Sequence, residues 1–284
     1  MTTIQAIVDA LTLEPIEVDL FRGWTPVSQR GRRHLFGGQV IAQALAAAYK
    51  TIEGRPCHSL QAYFIRPGDP KAPVLYEVER SRDGRSFATR RVIALQHGEP
   101  LLNMAASFHA EERGLSHQTP MEEAPPPDGL PGDAERWGQL PPALLEDLSL
   151  SDGQFAIETR HVDPVNPLAP QVMPPHQKIW FRAQSSVGDD PVLNQCLLAY
   201  ATDMTLLTTS ARPHGLSGFK GDQLASLDHA IWFHRPVDMG DWLLYDQHSP
   251  WSGGGRGFNR GSIYRRDGVM LASVAQEGVI RAKR

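Results

Sequence analysis

The sequence predicts an α+β fold built from two copies of one unit, each an antiparallel sheet wrapped around a long apolar helix. Three observations predict it. First, the segments Phe36–Tyr49 and Pro191–Leu207 are apolar on nearly every side of a helix, and such helices are buried all round. Second, each is followed by four strand-like runs with short connections, which favours hairpins over parallel crossovers. Third, the two sets of runs match. Tyr63-Phe64-Ile65-Arg66-Pro67 corresponds to Trp232-Phe233-His234-Arg235-Pro236 at an offset of 169 residues. At the same offset Asp69 meets Asp238, and Val74-Leu75-Tyr76-Glu77 meets Leu243-Leu244-Tyr245-Asp246. Phe87 then meets Phe258 at 171 and Gly98 meets Gly268 at 170. Matches that recur in one order point to duplication.

Taken in order, residues 4–12 read as a short helix, and Ile16–Phe21 alternates as a half-buried strand does. A polar, basic turn over Ser28–His34 leads into the first apolar helix, which opens on Gly37-Gly38 and is rich in Ala. Gly and Ala let other backbone approach closely. Strands are predicted at 58–66, 73–81, 86–96 and 100–109, with Asp83-Gly84 and His97-Gly98 as turns. Residues 113–152 change character: Pro125-Pro126-Pro127, Pro131 and Pro141-Pro142 sit among Glu, Asp and Gly. This stretch reads as a connection between domains, with a short helix near 141–148. Strands resume at 154–162 and 177–185. Asp189 and Asp190 ahead of Pro191 form a helix start, a capping carboxylate followed by Pro at the first helical position. A Gly/Pro/Ser-rich loop covers 208–223, and strands follow at 224–235, 241–249, 257–266 and 269–280. The units are therefore 1–112 and 153–284, joined by 113–152. Each unit leaves a sheet edge to cover, and pairing the two into one continuous sheet covers both.

Composition narrows the function. With 41% hydrophobic and 21% charged residues, the 284-residue chain reads as an ordinary soluble globular protein. A net charge of −4 gives no reason to expect nucleic acid or an anionic membrane surface as partner. No uninterrupted apolar run approaches membrane-spanning length, and the N-terminal residues lack a signal peptide's basic and apolar regions. Cys57 and Cys196 fall inside apolar patterns and read as reduced core thiols, which suits a cytoplasmic protein. The eleven histidines show no His-Glu-x-x-His spacing, so no metal site and no cofactor are expected.

The chemistry is sought where the two copies differ. Asp203 shares a helical face with Cys196, Ala199, Tyr200 and Leu207. A carboxylate there needs hydrogen bonds or a raised pKa. For one isolated Asp the commoner account is a structural tie to backbone groups. The duplication argues otherwise, because the first helix has no acidic residue at all. Ser226 likewise pairs with Cys57, and Gln276 with Ala106. Structural polar groups survive duplication in both copies or in neither, so three asymmetric ones indicate a single working site. An ionised Asp203 is a general base toward water, with Ser226 and Gln276 donating to the carboxylate or holding that water. N–H groups at the helix start, where Gly37-Gly38 permit close approach, are donors for an oxyanion. Such a set hydrolyses an activated acyl group.

At these residues the sequence resembles the acyl-CoA thioesterase II family, which has a double hotdog fold. The matching stretches are Phe36-Gly-Gly-Gln-Val40, Val162-Asp-Pro-Val-Asn-Pro167, Leu198-Ala-Tyr-Ala-Thr-Asp203, Leu227-Asp-His-Ala-Ile-Trp-Phe-His-Arg-Pro236, Arg256-Gly-Phe-Asn-Arg-Gly261 and Gln276-Glu-Gly278. The resemblance implies hydrolysis of fatty acyl-CoA to free fatty acid and coenzyme A. It implies Asp203, Ser226 and Gln276 as catalytic residues, with Ser in place of the Thr of some bacterial members. It also implies homo-oligomers, dimers or tetramers of double hotdog units. Relatives in peroxisomes end in a Ser-Lys-Leu-type tripeptide, and the ending Ala282-Lys283-Arg284 argues for the cytoplasm.

Arg32 and Arg33, beside Arg30 in the basic loop, are candidates for the phosphates of coenzyme A, against the commoner role of a solvated loop. A Ser226/Asp228/His229 triad is disfavoured, because strand alternation turns His229 away from the other two and there is no Gly-x-Ser-x-Gly elbow. Gly253-Gly254-Gly255 reads as a hairpin turn. Two alternatives remain: a hotdog hydratase or dehydratase, with Asp228, His229 and His234 as its candidates, and a non-catalytic acyl-CoA-binding module.

Overall fold

The computed structural model describes residues 3–137, 156–166, 168–217 and 222–283. Helix α1 (Ile4–Leu11) starts where the Thr3 hydroxyl accepts the Ala6 N–H, and it buries Ile4, Ile7 and Leu11 on one face. The strand expected at 16–21 is instead a hairpin of β1 (Glu14–Glu17) and β2 (Leu20–Gly23). All four β1 residues are exposed, so alternation has nothing to report there. The turn is set by Asp19, whose φ of 56° lies in the left-handed region that Asp tolerates. The Arg80 guanidinium holds the Asp19 carboxylate.

Helix α2 (Gly37–Tyr49) is buried from Gly38 to Ala48. Its two glutamines are buried because they find partners. Gln39 donates to Thr25 Oγ1. Gln43 donates to Ala10 O and accepts from Tyr76 OH. Strands β3 (Cys57–Phe64), β4 (Val74–Asp83), β5 (Phe87–Gln96) and β6 (Glu99–His109) follow at the expected places. After α3 (Asp133–Trp137) come β7 (Ile157–His161) and β8 (His176–Ala183). Helix α4 (Pro191–Thr202) is capped as expected, with Asp190 Oδ1 accepting the Val192 N–H at 2.9 Å. It ends five residues before the predicted 207. Asp203 is its C-cap residue, and a turn leads to α5 (Thr208–Ala211). Threonine hydroxyls draw backbone carbonyls away from the helical pattern here: Thr202 Oγ1 bonds Ala199 O and Thr208 Oγ1 bonds Thr205 O. Strands β9 (Gln223–Ser226), β10 (Asp228–Phe233), β11 (Leu243–Gly253), β12 (Arg256–Arg265) and β13 (Met270–Arg281) complete the chain. The predicted strand at 224–235 is thus broken at Leu227. The expected helix near 141–148 falls outside the described residues.

The thirteen strands form one antiparallel sheet. Outward from the β3–β10 pair its order is β6-β5-β4-β2-β1 on one side and β13-β12-β11-β8-β7 on the other. Each of these twelve strands therefore has a counterpart across the centre, and β9 lies off this path, paired with β13. At that centre Gln61 faces Ala230, residues that are themselves 169 apart. The two inner strand edges cover each other, which removes the exposed edge either half would have alone.

Residues 113–137 do not hang free. They lie across the outer side of the second half's strands. Trp180 donates to Pro125 O at 2.8 Å, and Lys178 to Glu122. Gln118 exchanges bonds with Gly268 O and Met270 N. Beneath this strap Trp180, Trp242, Leu244 and Tyr264 form a second apolar cluster, closed by Met121, Ala124 and Leu130. The alternate faces of these strands are thus buried on both sides, which explains why they carry aromatic residues outward.

Candidate active site

Three separate elements bring together the three residues that the duplication singles out. Asp203 caps α4, Ser226 ends β9 and Gln276 lies on β13. Gln276 Nε2 is 2.6 Å from Asp203 Oδ1 and 3.0 Å from Ser226 Oγ, and Ser226 Oγ is 3.3 Å from Asp203 Oδ1. Gln276 is fully buried, and the Asp203 side chain is 3% exposed.

The start of α2 also lies against the carboxylate, with the Gly38 backbone N–H lowering its pKa. This is where the Gly pair matters. A Cβ on Gly38 would stand 2.4 Å from Tyr200 O, and one on Gly37 would stand 2.7 Å from Asp203 Oδ2. Both distances are shorter than a real Cβ tolerates, so only glycine lets the start of α2 reach the end of α4. The two helix ends act oppositely on the carboxylate. The α2 N-terminus favours an anion and the α4 C-terminus does not. Burial raises the Asp203 carboxyl, bonds from Gln276, Gly38 and Ser226 lower it, and the balance stands at about 6. At neutral pH the group is largely ionised yet basic enough to take a proton.

His229 was expected to point away from Ser226. It does not: its Nδ1 is 3.1 Å from Gln276 Nε2, so Ser226 and His229 both face Gln276. The break at Leu227 resets the alternation. There Asp228 Oδ1 accepts the Glu277 N–H at 2.7 Å, replacing a strand bond with a side-chain one. The first half has a register shift at the matching place, between Cys57 and Ser59. No Ser-His-Asp triad results, because Asp228 is committed to Glu277. Burial drives His229 down to about 3, so the ring is neutral and its 3.8 Å approach to Asp203 is no ion pair.

Asp203 and Ser226 open onto a cleft of about 1020 Å³. The first half supplies Arg33, Leu35, Phe36, Gly37, Val40, Phe64, Arg66 and Leu101, and the second supplies Met204, Leu207, Leu224 and Ala225. Of the expected substrate-binding residues, Gly37 and Arg33 line it. Gly38 and Arg32 do not; Gly38 stands behind Asp203, and Arg32 lies near enough to Tyr200 to act on its charge. Gln276 is also behind the carboxylate, so of the two expected helpers only Ser226 reaches the cleft. Phe64, Arg66 and Met204 were not singled out in the sequence. Phe64 and Arg66 lie in the repeat match, and their second-half counterparts Phe233 and Arg235 do not line the cleft.

The matching place in the first half is filled. Tyr49 OH accepts the Cys57 N–H and donates to Gln195 Oε1, and Gln195 Nε2 bonds Cys57 O. Arg90, opposite Ala106 on the neighbouring strand, is buried and bonded to Thr51 and Asp83. Cys57 and Cys196 are both unpaired and buried. Among the described residues no cluster of three His, Cys, Asp or Glu could hold a metal, and no helix is long and apolar enough to cross a membrane.

Residues 150–279 match the family model described as acyl-CoA thioesterase, and residues 25–109 match that of the acyl-CoA thioesterase N-terminal domain. Acyl-coenzyme A thioesterase 8 of Rattus norvegicus is 42% identical over 98% of this chain and 89% of its own. The crystal structure of an acyl-CoA thioesterase II, TesB2, from Mycobacterium marinum is 41% identical, covers 99% of both chains and superposes with a TM-score of 0.79. A protein from Alicyclobacillus acidocaldarius described as having a hot dog fold is only 20% identical but shares the fold at a TM-score of 0.78 over 98% of this chain and 99% of its own.

Proposed function

Because this chain belongs to the acyl-CoA thioesterase family and acts as a thioester hydrolase on acyl-CoA, we propose that Asp203 is its general base and that it works without a cofactor. The observation that supports this most directly is the Asp203 carboxylate itself. It is buried, held on Oδ1 by Gln276 and Ser226, and open to a cleft formed by both halves.

In this reading Asp203 Oδ2 and the Ser226 hydroxyl hold a water at the cleft wall. The water oxygen attacks the thioester carbonyl carbon, and its proton passes to Asp203. The negative charge on the carbonyl oxygen is met by the N–H of Gly37 at the start of α2, which lines the cleft. The C–S bond then breaks. Coenzyme A leaves as a thiolate and is protonated from Asp203, which restores the base. The products are the carboxylic acid and free coenzyme A. Leu35, Phe36, Val40 and Met204 suit the acyl chain, and Arg33 and Arg66 suit the phosphates.

The two halves are read as a double hotdog, 1–112 and 153–284, each sheet curled round its own helix, with the catalytic groups in the second. Homo-oligomers are supported by Tyr63 and Trp232, which lie exposed near the centre of the sheet. The two unpaired cysteines support the cytoplasm.

A hydratase or dehydratase would need a histidine at the substrate, and His229 is fully buried behind Gln276. A binding module has no use for a carboxylate whose burial costs stability. Titrating free thiol after incubation with a saturated acyl-CoA separates the three. Thiol release supports hydrolysis. Turnover of only an enoyl or hydroxyacyl thioester, or binding without either, overturns it.

A further inference from the structure

We propose that His229 is a positioning residue for this hydrolysis: it fixes which way round the Gln276 amide sits, so that Gln276 presents its N–H to Asp203 throughout the cycle. The inference rests on the reading of Asp203 as base.

An amide has nearly the same shape with its oxygen and nitrogen exchanged, so its neighbours alone set its orientation. On the oxygen side nothing does: Gln276 Oε1 is buried and has no hydrogen-bond partner among the described residues. On the nitrogen side stand Asp203 Oδ1 at 2.6 Å, Ser226 Oγ at 3.0 Å and His229 Nδ1 at 3.1 Å. The Ser226 hydroxyl can donate or accept, so it does not discriminate. Asp203 discriminates only while it is ionised. Once it has taken the water's proton it can donate to a carbonyl, and an inverted amide would then trap that proton by accepting it. His229 alone discriminates in both states, provided that Nδ1 carries no hydrogen.

The other side of the ring meets that condition. Thr202 Oγ1 lies 3.2 Å from Ala199 O, which can only accept, so the single hydroxyl hydrogen goes there. Thr202 Oγ1 is then the acceptor for His229 Nε2 at 3.0 Å. Nε2 therefore carries the ring hydrogen and Nδ1 is bare. The chain of donors runs from Gln276 to His229, from His229 to Thr202 and from Thr202 to Ala199 O. Thr202, His229 and Gln276 are all fully buried, so bulk water cannot compete for any link. The end of α4 thus sets the tautomer of a β10 histidine, which sets the amide of β13, which serves the carboxylate at the same end of α4.

The test measures kcat and KM of the full chain on a saturated acyl-CoA. His229→Phe keeps the ring's bulk without an acceptor, and kcat is expected to fall about tenfold with KM unchanged, the order of one lost net hydrogen bond. His229→Asn, whose side-chain oxygen can replace Nδ1 as acceptor, is expected to recover most of that loss. In a Gln276→Ala background His229→Phe is expected to add nothing, since it acts only through the amide. If His229→Phe does not fold, Thr202→Val decides: it removes the acceptor that fixes the tautomer, and is expected to lower kcat where Thr202→Ser does not. A slow Gln276→Ala enzyme slowed further by His229→Phe, or full turnover in Thr202→Val, would overturn the role of His229 alone. Full turnover in Gln276→Ala would instead overturn the reading of the base's support, and the inference with it.

Discussion

Gln276 Nε2 lies 2.6 Å from Asp203 Oδ1, although the two residues are 73 apart in sequence and belong to a β-strand and a helix end. The contact sets the poise of the carboxyl. Burial is the largest influence on it and raises its pKa. The amide, the Gly38 N–H and the Ser226 hydroxyl return it to about 6.

A pH profile follows from that value. The acid limb of kcat/KM is expected to fall with an apparent pKa near 6, because a protonated Asp203 cannot accept the water's proton. Stability has a matching dependence. The folded pKa lies above the unfolded 3.8, so the folded state binds this proton more tightly. The contribution of Asp203 to stability is full below about 4 and is lost as pH rises through about 6. An acid limb centred near 4 would show that burial does not govern this group.

Ser226→Ala and Gln276→Ala are each expected to lower kcat more than they raise KM. In the proposed reaction one holds the water and the other the base, and neither is assigned to the acyl chain or coenzyme A. Groups that act as a unit are not additive, so the double variant is expected to be little slower than the poorer single one. Losses that simply multiply would count against a shared water and carboxylate.

The glycine pair offers a geometric test. Gly38→Ala places a methyl 2.4 Å from the Tyr200 carbonyl oxygen, which belongs to backbone and cannot swing aside. A destabilisation of about 1–3 kcal/mol is expected from such overpacking, with turnover falling as α2 draws back from Asp203. Denaturant titration and thiol release measure the two effects. An Ala variant with parental stability and rate would mean that the helix ends need not meet.

Residues 153–284 expressed alone are expected to be insoluble or inactive. They hold Asp203, Ser226 and Gln276, but β10 would lose its partner β3, and the cleft would lose the wall from Arg33 to Val40 with Phe64, Arg66 and Leu101. A monomeric, active fragment from gel filtration and assay would contradict the fused-pair architecture.

Much of this was legible in the sequence, for physical reasons that vary by element. The β4–β6 strands follow alternation because one face is buried, whereas the first residues of β11 are buried on both faces because the strap covers the outer one. Comparing the two copies singled out Asp203, Ser226 and Gln276, polar groups that only one half keeps and that lie within hydrogen-bond distance of one another. Periodicity ran past the end of α4, because Leu206 and Leu207 are buried by packing that is not helical. His229 was misplaced because a break such as that at Leu227 leaves no trace in composition, yet it turns His229, two residues on, inward. The hairpin of β1 and β2 was missed because Glu14–Glu17 is wholly exposed. The strap over the second half looked like a linker because its prolines and carbonyls, not its side-chain pattern, make many of its contacts.

The most direct measurement is thiol release by Asp203→Asn. The amide keeps the size of the carboxyl but cannot take a proton, and it removes the cost of a buried charge. A loss in kcat of at least ~10²-fold is expected, the typical share of general-base catalysis, with the melting temperature at neutral pH equal to or above that of the parent. Near-parental turnover in a folded Asp203→Asn enzyme would contradict the account by removing Asp203 from the reaction.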